Sequence, residues 1–251
     1  MITDPLFYLL AIPAIILLGL GKGGFAGIGM ISTPLLALIV PPLQAAAVLL
    51  PILLIQDVIS SWIYRREWSA WNLKVLLPGA VVGVGAAWLY AAHVPNAYVS
   101  ITVGLIGLCF VLYTWLGRVP TAPRRPSVPL AMFWGSLAGF TSTLIQVGAP
   151  PYQVHILPQR LDKPTLIGTT IIFFALVNVM KIAPYFALGQ FSARNLATSV
   201  VLLPLAVASN FFGIWVARRT PTELFYKIAY LLVFFISLAL IWQGTYELLK
   251  R

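Results

Sequence analysis

From residue 6 to residue 248 the sequence is a succession of apolar runs of bilayer-crossing length, and this limits the fold more than any other feature. Hydrocarbon offers no water to backbone N–H and C=O groups, so a spanning chain must be helical or close into a barrel. A barrel needs alternating polarity over strands of about ten residues, whereas these runs are continuous. The chain is therefore read as all-α, a polytopic integral membrane protein. Only 9% of its residues are charged, against about 25% in soluble domains, too few to cover a water-facing surface. No polar stretch is long enough to fold separately, so residues 1–251 are read as a single transmembrane domain.

Hydropathy places segments at about 6–20, 25–40, 44–64, 72–91, 97–116, 129–147, 148–160, 164–188, 195–217 and 223–248. The most polar linker, 117–128, lies near the middle and invites a search for two halves. Residues 68–73 read "WSAWNL" and residues 191–196 read "FSARNL", each before a long apolar segment. Gly19 and Gly139, and Trp88 and Trp215, recur at similar offsets. These matches imply an internal duplication, repeat 1 over about 5–117 and repeat 2 over about 129–250. Each half holds five segments, an odd number, so the second is expected to be inverted. With both termini outside, Arg65, Arg66, Lys74, Arg118, Arg124, Arg125, Arg160, Lys163, Arg218, Arg219 and Lys227 fall on one side. Only Arg194, Lys250 and Arg251 fall on the other, a positive-inside bias. Segments 6–20 and 25–40 are short; they either cross fully or form a re-entrant hairpin, and both routes preserve the count.

The formal charge of +10 does not point to nucleic acid, because the cations are singles and pairs between apolar spans. Cys109 is the lone cysteine, expected as a small buried hydrophobe. The N-terminal stretch has no basic n-region and resembles a first membrane segment more than a cleavable signal.

The apolar pattern breaks twice, at corresponding places. Residues 19–29 read "GLGKGGFAGIG", a lysine among glycines. The spacing satisfies G-x-G-x-x-G, but no strand precedes it and no acidic residue follows at the distance a dinucleotide site requires. Glycines let the backbone leave helical geometry and approach a neighbour or a ligand closely. A helix starting near Gly24 would point free N–H groups and its positive end into the break, and Lys22 adds a full charge, together an anion site. The other reading has Lys22 snorkelling to the interface and the glycines serving close packing. The second break, 139–153, reads "GFTSTLIQVGAPPYQ". Its Thr141, Ser142, Thr143, Gln146 and Gly148 serve either a ligand or freed backbone groups. Two interruptions at matching places are a sequence pointer to a transport site.

The segment after each break carries polar groups at similar depth: Gln56 and Asp57 in the first half, Asn178 and Lys181 in the second. Ionisable residues within a membrane are costly and mark function by default. Asp57 either pairs with Lys181 as a lock between halves or carries a coupling proton, and Lys181 has snorkelling as a third option. Gln153, His155, Thr169 and Thr170 complete the candidates for coupling or support. No zinc signature, nucleophile elbow or usefully spaced carboxylate pair is present, so no catalytic residue, metal or cofactor is expected.

The first break, extended as "GLGKGGFAGIGMISTPLLALI", resembles the first-repeat signature of the TauE/SafE family of sulfite and organosulfur-anion exporters. The second, continued through the "GTT" at Gly168, Thr169 and Thr170 to residue 190, resembles the second-repeat signature. The resemblance implies a bacterial inner-membrane transporter of two inverted repeats that moves a small oxyanion such as sulfite or a sulfonate. Its signatures fall on Gly21, Lys22, Gly23, Gly24, Gly27 and Gly29, and on Thr141, Ser142, Thr143, Gly148 and Pro150. Relatives often carry Gly-Gly before the Pro-Pro; here the pair is Gly148-Ala149. The expected substrate site is thus Gly21, Lys22, Gly23, Gly24, Thr141, Ser142, Thr143, Gln146 and Gly148. The expected partners are a small anion and the lipid bilayer, with a homo-oligomer compatible. A passive channel, a structural membrane subunit and a membrane-embedded enzyme are the rival readings.

Overall fold

Helix is the only regular structure among the residues described by the computed structural model, which are 1–23, 28–36, 39–40, 42–90, 95–116 and 127–250. The helices are α1 (Pro5–Lys22), α2 (Ser32–Leu36), α3 (Pro42–Ile63), α4 (Ala70–Tyr90), α5 (Asn96–Leu116), α6 (Val128–Ile145), α7 (Ala149–Ile156), α8 (Lys163–Met180), α9 (Ile182–Ala187), α10 (Ala193–Arg219) and α11 (Thr222–Leu249). A 3-10 turn, Ile28–Ile31, leads into α2, and another, Leu157–Gln159, follows α7. Most helix ends fall within about two residues of the hydropathy segments. Of the linker at 117–128, residues 117–126 lie outside the described residues, as do Gly24 and Gly27.

Among the described residues, five stretches are long and apolar enough to cross a membrane: Pro5–Lys22, Gln44–Ile63, Ala70–Leu89, Lys163–Ala187 and Ala193–Arg219. Their environment can be read from α3, where Val58 is 70% exposed and its neighbour Asp57 only 3%. Apolar side chains outward and ionisable ones inward are what a lipid solvent selects. The 3-10 turn with α2 holds nine residues (4 + 5), and α7 with its turn eleven (8 + 3). At 1.5 Å per residue these extend only ~14 and ~17 Å, about half the hydrocarbon core. Segment 164–188, expected as one helix, is divided at Lys181 into α8 and α9. Pro184 has no N–H to return to Met180, which accounts for the interruption.

In element order α1–α5 correspond to α6–α11, with α8 and α9 together matching α3. The packing respects that exchange. α1 lies on α10 and α4 lies on α6; α10 also packs on α3 and α4 on α8; α5 pairs with α11. One core joins α1, α2 and α3 to α10 through Phe7, Ile15, Leu36, Leu49, Leu202 and Ala206. Another joins α6, α7 and α8 to α4 through Leu76, Ala80, Ala138, Tyr152, Ile167 and Phe173. Each half therefore completes its core with a long helix of the other.

Several crossings bring backbones nearly into contact, two of them through small residues four apart on both helices. Gly79 and Gly83 of α4, four apart, face Gly135 and Gly139 of α6; a Cβ on Gly83 would lie 1.9 Å from Ser136 O and one on Gly139 2.5 Å from Ala80 O. Gly19 and Gly23 of α1 face Ser209 and Gly213 of α10 in the same spacing, with a Gly23 Cβ 2.1 Å from Gly213 C. Small residues four apart allow helices to associate where lipid removes the hydrophobic drive.

The repeated "S-A-x-N-L" motif acts at opposite ends of the molecule. Ser69 Oγ accepts from Asn72 N, and Ser192 Oγ accepts from Asn195 N. The freed asparagine amides reach across the halves. Asn72 Nδ2 donates to Gln159 Oε1 and Gln159 Nε2 donates to Asn72 Oδ1, both at 2.9 Å. Gln44 Nε2 donates to Asn195 Oδ1 at 3.1 Å. Lys163 and Arg218 lie at the Asn72 end. Lys163 caps the end of α10 by donating to Ala217 O and Thr220 O, and the Arg218 guanidinium lies 5.8 Å from the Tyr64 ring centre. Cys109, expected to be buried, is exposed on α5.

Asn72→Ala strands the buried Gln159 amide and should lower stability by about 1–3 kcal/mol. Asn195→Ala removes two bonds, from Gln44 Nε2 and to Gln190 O, but both partners are half-buried and can turn to water, so it should cost about 0.5–1.5 kcal/mol. Thermal unfolding in detergent reads both, and equal losses would contradict the distinction.

Candidate functional site

The two broken stretches meet at one cavity of about 80 Å³. Its wall takes Leu18, Gly21, Lys22, Gly29 and Met30 from the first stretch, Ser142, Gln146, Gly148 and Ala149 from the second. Leu53 of α3 and Thr170, Ile171, Phe174 and Asn178 of α8 close it. Leu53 stands eleven residues into the 22-residue α3 (53 − 42), ~17 Å along a helix of ~33 Å. The cavity therefore sits about midway along the bundle. A water needs about 10–15 Å³ by this kind of measure, so there is room for roughly five to eight water-sized groups. That is the scale of an oxyanion of a few heavy atoms.

The glycines of the first stretch divide their work. Gly19 and Gly23 serve the crossing with α10, while Gly21 and Gly29 face each other; a Cβ on Gly21 would lie 3.0 Å from Gly29 N. Their closeness carries the end of α1 to the cavity and delivers Lys22 there. Lys22 does not snorkel. It is 8% exposed and its ammonium is ion-paired with Asp57 Oδ1. Asn178 Nδ2 donates to the other oxygen, Asp57 Oδ2, at 2.6 Å. The expected alternative partner of Asp57, Lys181, is engaged elsewhere.

Lys181 is fully buried. Its ammonium donates to Gln146 Oε1 at 2.5 Å, Ser142 Oγ at 3.1 Å and Ser142 O at 3.3 Å. Three acceptors are the complement of the three N–H bonds of an ammonium. Gln146 caps α6 with φ 59°, a left-handed backbone that non-glycine residues seldom adopt. It is held at both ends of its amide, since Nε2 donates to Ala46 O at 3.3 Å. The cluster thus sets two ammonium groups, Lys22 and Lys181, against one carboxylate, Asp57.

The other expected residues have different posts. Thr141 Oγ1 donates to Leu137 O at 2.7 Å and Thr143 Oγ1 to Gly139 O at 2.8 Å, so both serve their own helix. Ser142 alone of the three hydroxyls lines the cavity. Gln56 is buried against α10, donating to Ala206 O at 2.8 Å. Thr169 donates to Thr165 O and accepts from Ser69 N, away from the cavity. Thr170 lines it and lies 3.2 Å from the Tyr152 hydroxyl. Gln153 and His155 are buried on α7 outside the wall, and Gln153 Oε1 and His155 Nε2 have no hydrogen-bond partner among the described residues. The start of α7 is poorer in donors than expected, because Pro150 and Pro151 follow Ala149 directly and carry no N–H. The sequence reading missed the apolar wall of Leu18, Met30, Leu53, Ile171 and Phe174; such residues look like any other core positions.

Lys22→Met leaves Asp57 as an unpaired buried charge and should destabilise the protein by about 3–5 kcal/mol. Adding Asp57→Leu removes that charge and should recover most of the loss. Unfolding of the single and double variants in detergent measures the difference.

A family model described as Sulfite exporter TauE/SafE matches residues 11–240, a span that contains every residue of the cavity wall. Comparisons with curated proteins and with solved structures give no match. The chain belongs to the TauE/SafE sulfite exporter family.

Proposed function

We propose that this protein is a secondary transporter that exports a small oxyanion, sulfite or an organosulfonate, across the bacterial inner membrane by alternating access. One observation carries the reading: a mid-depth cavity bounded by both broken stretches, beside two buried lysines and a single carboxylate. An excess of positive charge in a low-dielectric interior calls for an anion. Ser142, Gln146 and Asn178 supply hydrogen-bonding groups, and the apolar wall excludes other solutes and water.

The halves form inverted repeats on this reading, and the exchange-symmetric packing supports it. The short α2 and α7 units enter the bilayer and return as hairpins, meeting near its middle. The end that gathers Arg65, Arg66, Lys163, Arg218 and Arg219 faces the cytoplasm, and both termini lie outside. A cytoplasm-negative potential then favours anion exit by about 2.3 kcal/mol per charge per 100 mV. The glycine crossings offer surfaces on which one packed group can shift against the other.

In proteoliposomes loaded with labelled sulfite, the protein should support saturable efflux that external sulfite accelerates. The Lys22→Met/Asp57→Leu variant, which keeps the core filled, should fold and lose at least about tenfold of that flux. Undiminished flux would remove Lys22 from the site. Efflux that never saturates and shows no counterflow would favour a passive channel.

A further inference from the structure

Asp57 is not on the cavity wall, yet both groups that hold it are. Lys22 and Asn178 each give the carboxylate one donor, the set that two oxygens of a bound anion would seek. The carboxylate therefore draws on the donors a substrate needs and subtracts one charge from the site. Around it, α1 contributes Lys22 and α8 contributes Asn178 and Lys181. α10 offers Asn210, whose Oδ1 accepts from Ser60 Oγ and whose Nδ2 donates to Gln56 O, and Ser209, whose hydroxyl donates to Ile15 O and Ala206 O. α2 and α6 carry no ionisable residue. Two ammonium groups and one carboxylate leave a single positive charge uncompensated.

We propose that Asp57 sets the valence of the transported anion: the Lys22–Lys181–Asp57 cluster accepts a singly charged oxyanion, hydrogensulfite or a monosulfonate, and rejects the dianions. This rests on the cavity being an anion site. A monoanion brings the cluster to neutrality, with Asp57 answering Lys22 and the anion answering the charge of Lys181, which stands one helical turn beyond Asn178. A dianion of the same shape would leave a net negative charge away from water, a cost the interior does not repay. Lys181 acts through Ser142 and Gln146, which it holds and which form the wall, so it is a positioning residue and a source of field.

Methanesulfonate and sulfate are tetrahedra of similar size that differ by one charge, and neither titrates near neutral pH. Their binding to the purified full-length protein in detergent can be measured by calorimetry. The wild type should prefer methanesulfonate by at least about tenfold, and Asp57→Asn should reverse the preference by a similar factor. Lys181→Met, measured in parallel, should weaken methanesulfonate binding by at least about tenfold, and it decides the matter if Asp57→Asn does not fold. A methanesulfonate-to-sulfate ratio unchanged in Asp57→Asn, or wild-type methanesulfonate affinity in Lys181→Met, would overturn the inference while leaving an anion site in place. A wild type that binds neither ion overturns the anion site together with it.

Discussion

A lysine carried into the middle of a membrane protein must be answered by a negative partner, and the arrangement of this molecule follows from how Lys22 is answered. Its ammonium meets Asp57, which fixes the end of α1 against the middle of α3. The carboxylate's second oxygen takes Asn178 and so ties the first half to α8 of the second. Removing water from such a group is affordable only when every donor and acceptor around it is used. Here each carboxylate oxygen has a donor, and Lys181 has three acceptors. The polar cluster is therefore a clamp between halves, set against the cavity.

Around that clamp the halves are interlocked rather than stacked. α10 fills the core of the first half and α4 that of the second, and neither half could bury its apolar interior alone. The crossings that make this possible put backbone against backbone through glycine. In lipid, close van der Waals contact is what remains to hold helices together. The amide pairs Asn72–Gln159 and Gln44–Asn195 then fasten the two ends.

Much of the framework was legible because the solvent is lipid. Length and apolar continuity located the long helices almost to the residue. The duplication was an expectation drawn from "WSAWNL" and "FSARNL", and each motif's asparagine turns out to bridge the halves. The partners of polar groups were not legible. Asp57 could equally have met Lys181, because the choice depends on helix rotation, which composition does not encode. Thr141 and Thr143 look like Ser142 in sequence, yet a hydroxyl's local carbonyl competes with any ligand and won at two positions of three. Gly19 and Gly23 look like Gly21, and only the path of α10 separates packing glycines from the one at the cavity. Cys109 was misjudged for a related reason: in a membrane protein an apolar neighbourhood does not mean the interior.

The paired prolines at the head of α7 have a consequence for selectivity. Anions with tightly bound hydration shells surrender them only to a dense array of donors, and a cavity wall at Gly148 and Ala149 that is followed directly by Pro150 and Pro151 cannot draw one from that helix end. What it offers instead is a largely hydrocarbon lining with a few donors on one side. On the anion-transport reading proposed above, such a lining would rank solutes by ease of dehydration and favour weakly hydrated monoanions over strongly hydrated ions such as phosphate or fluoride.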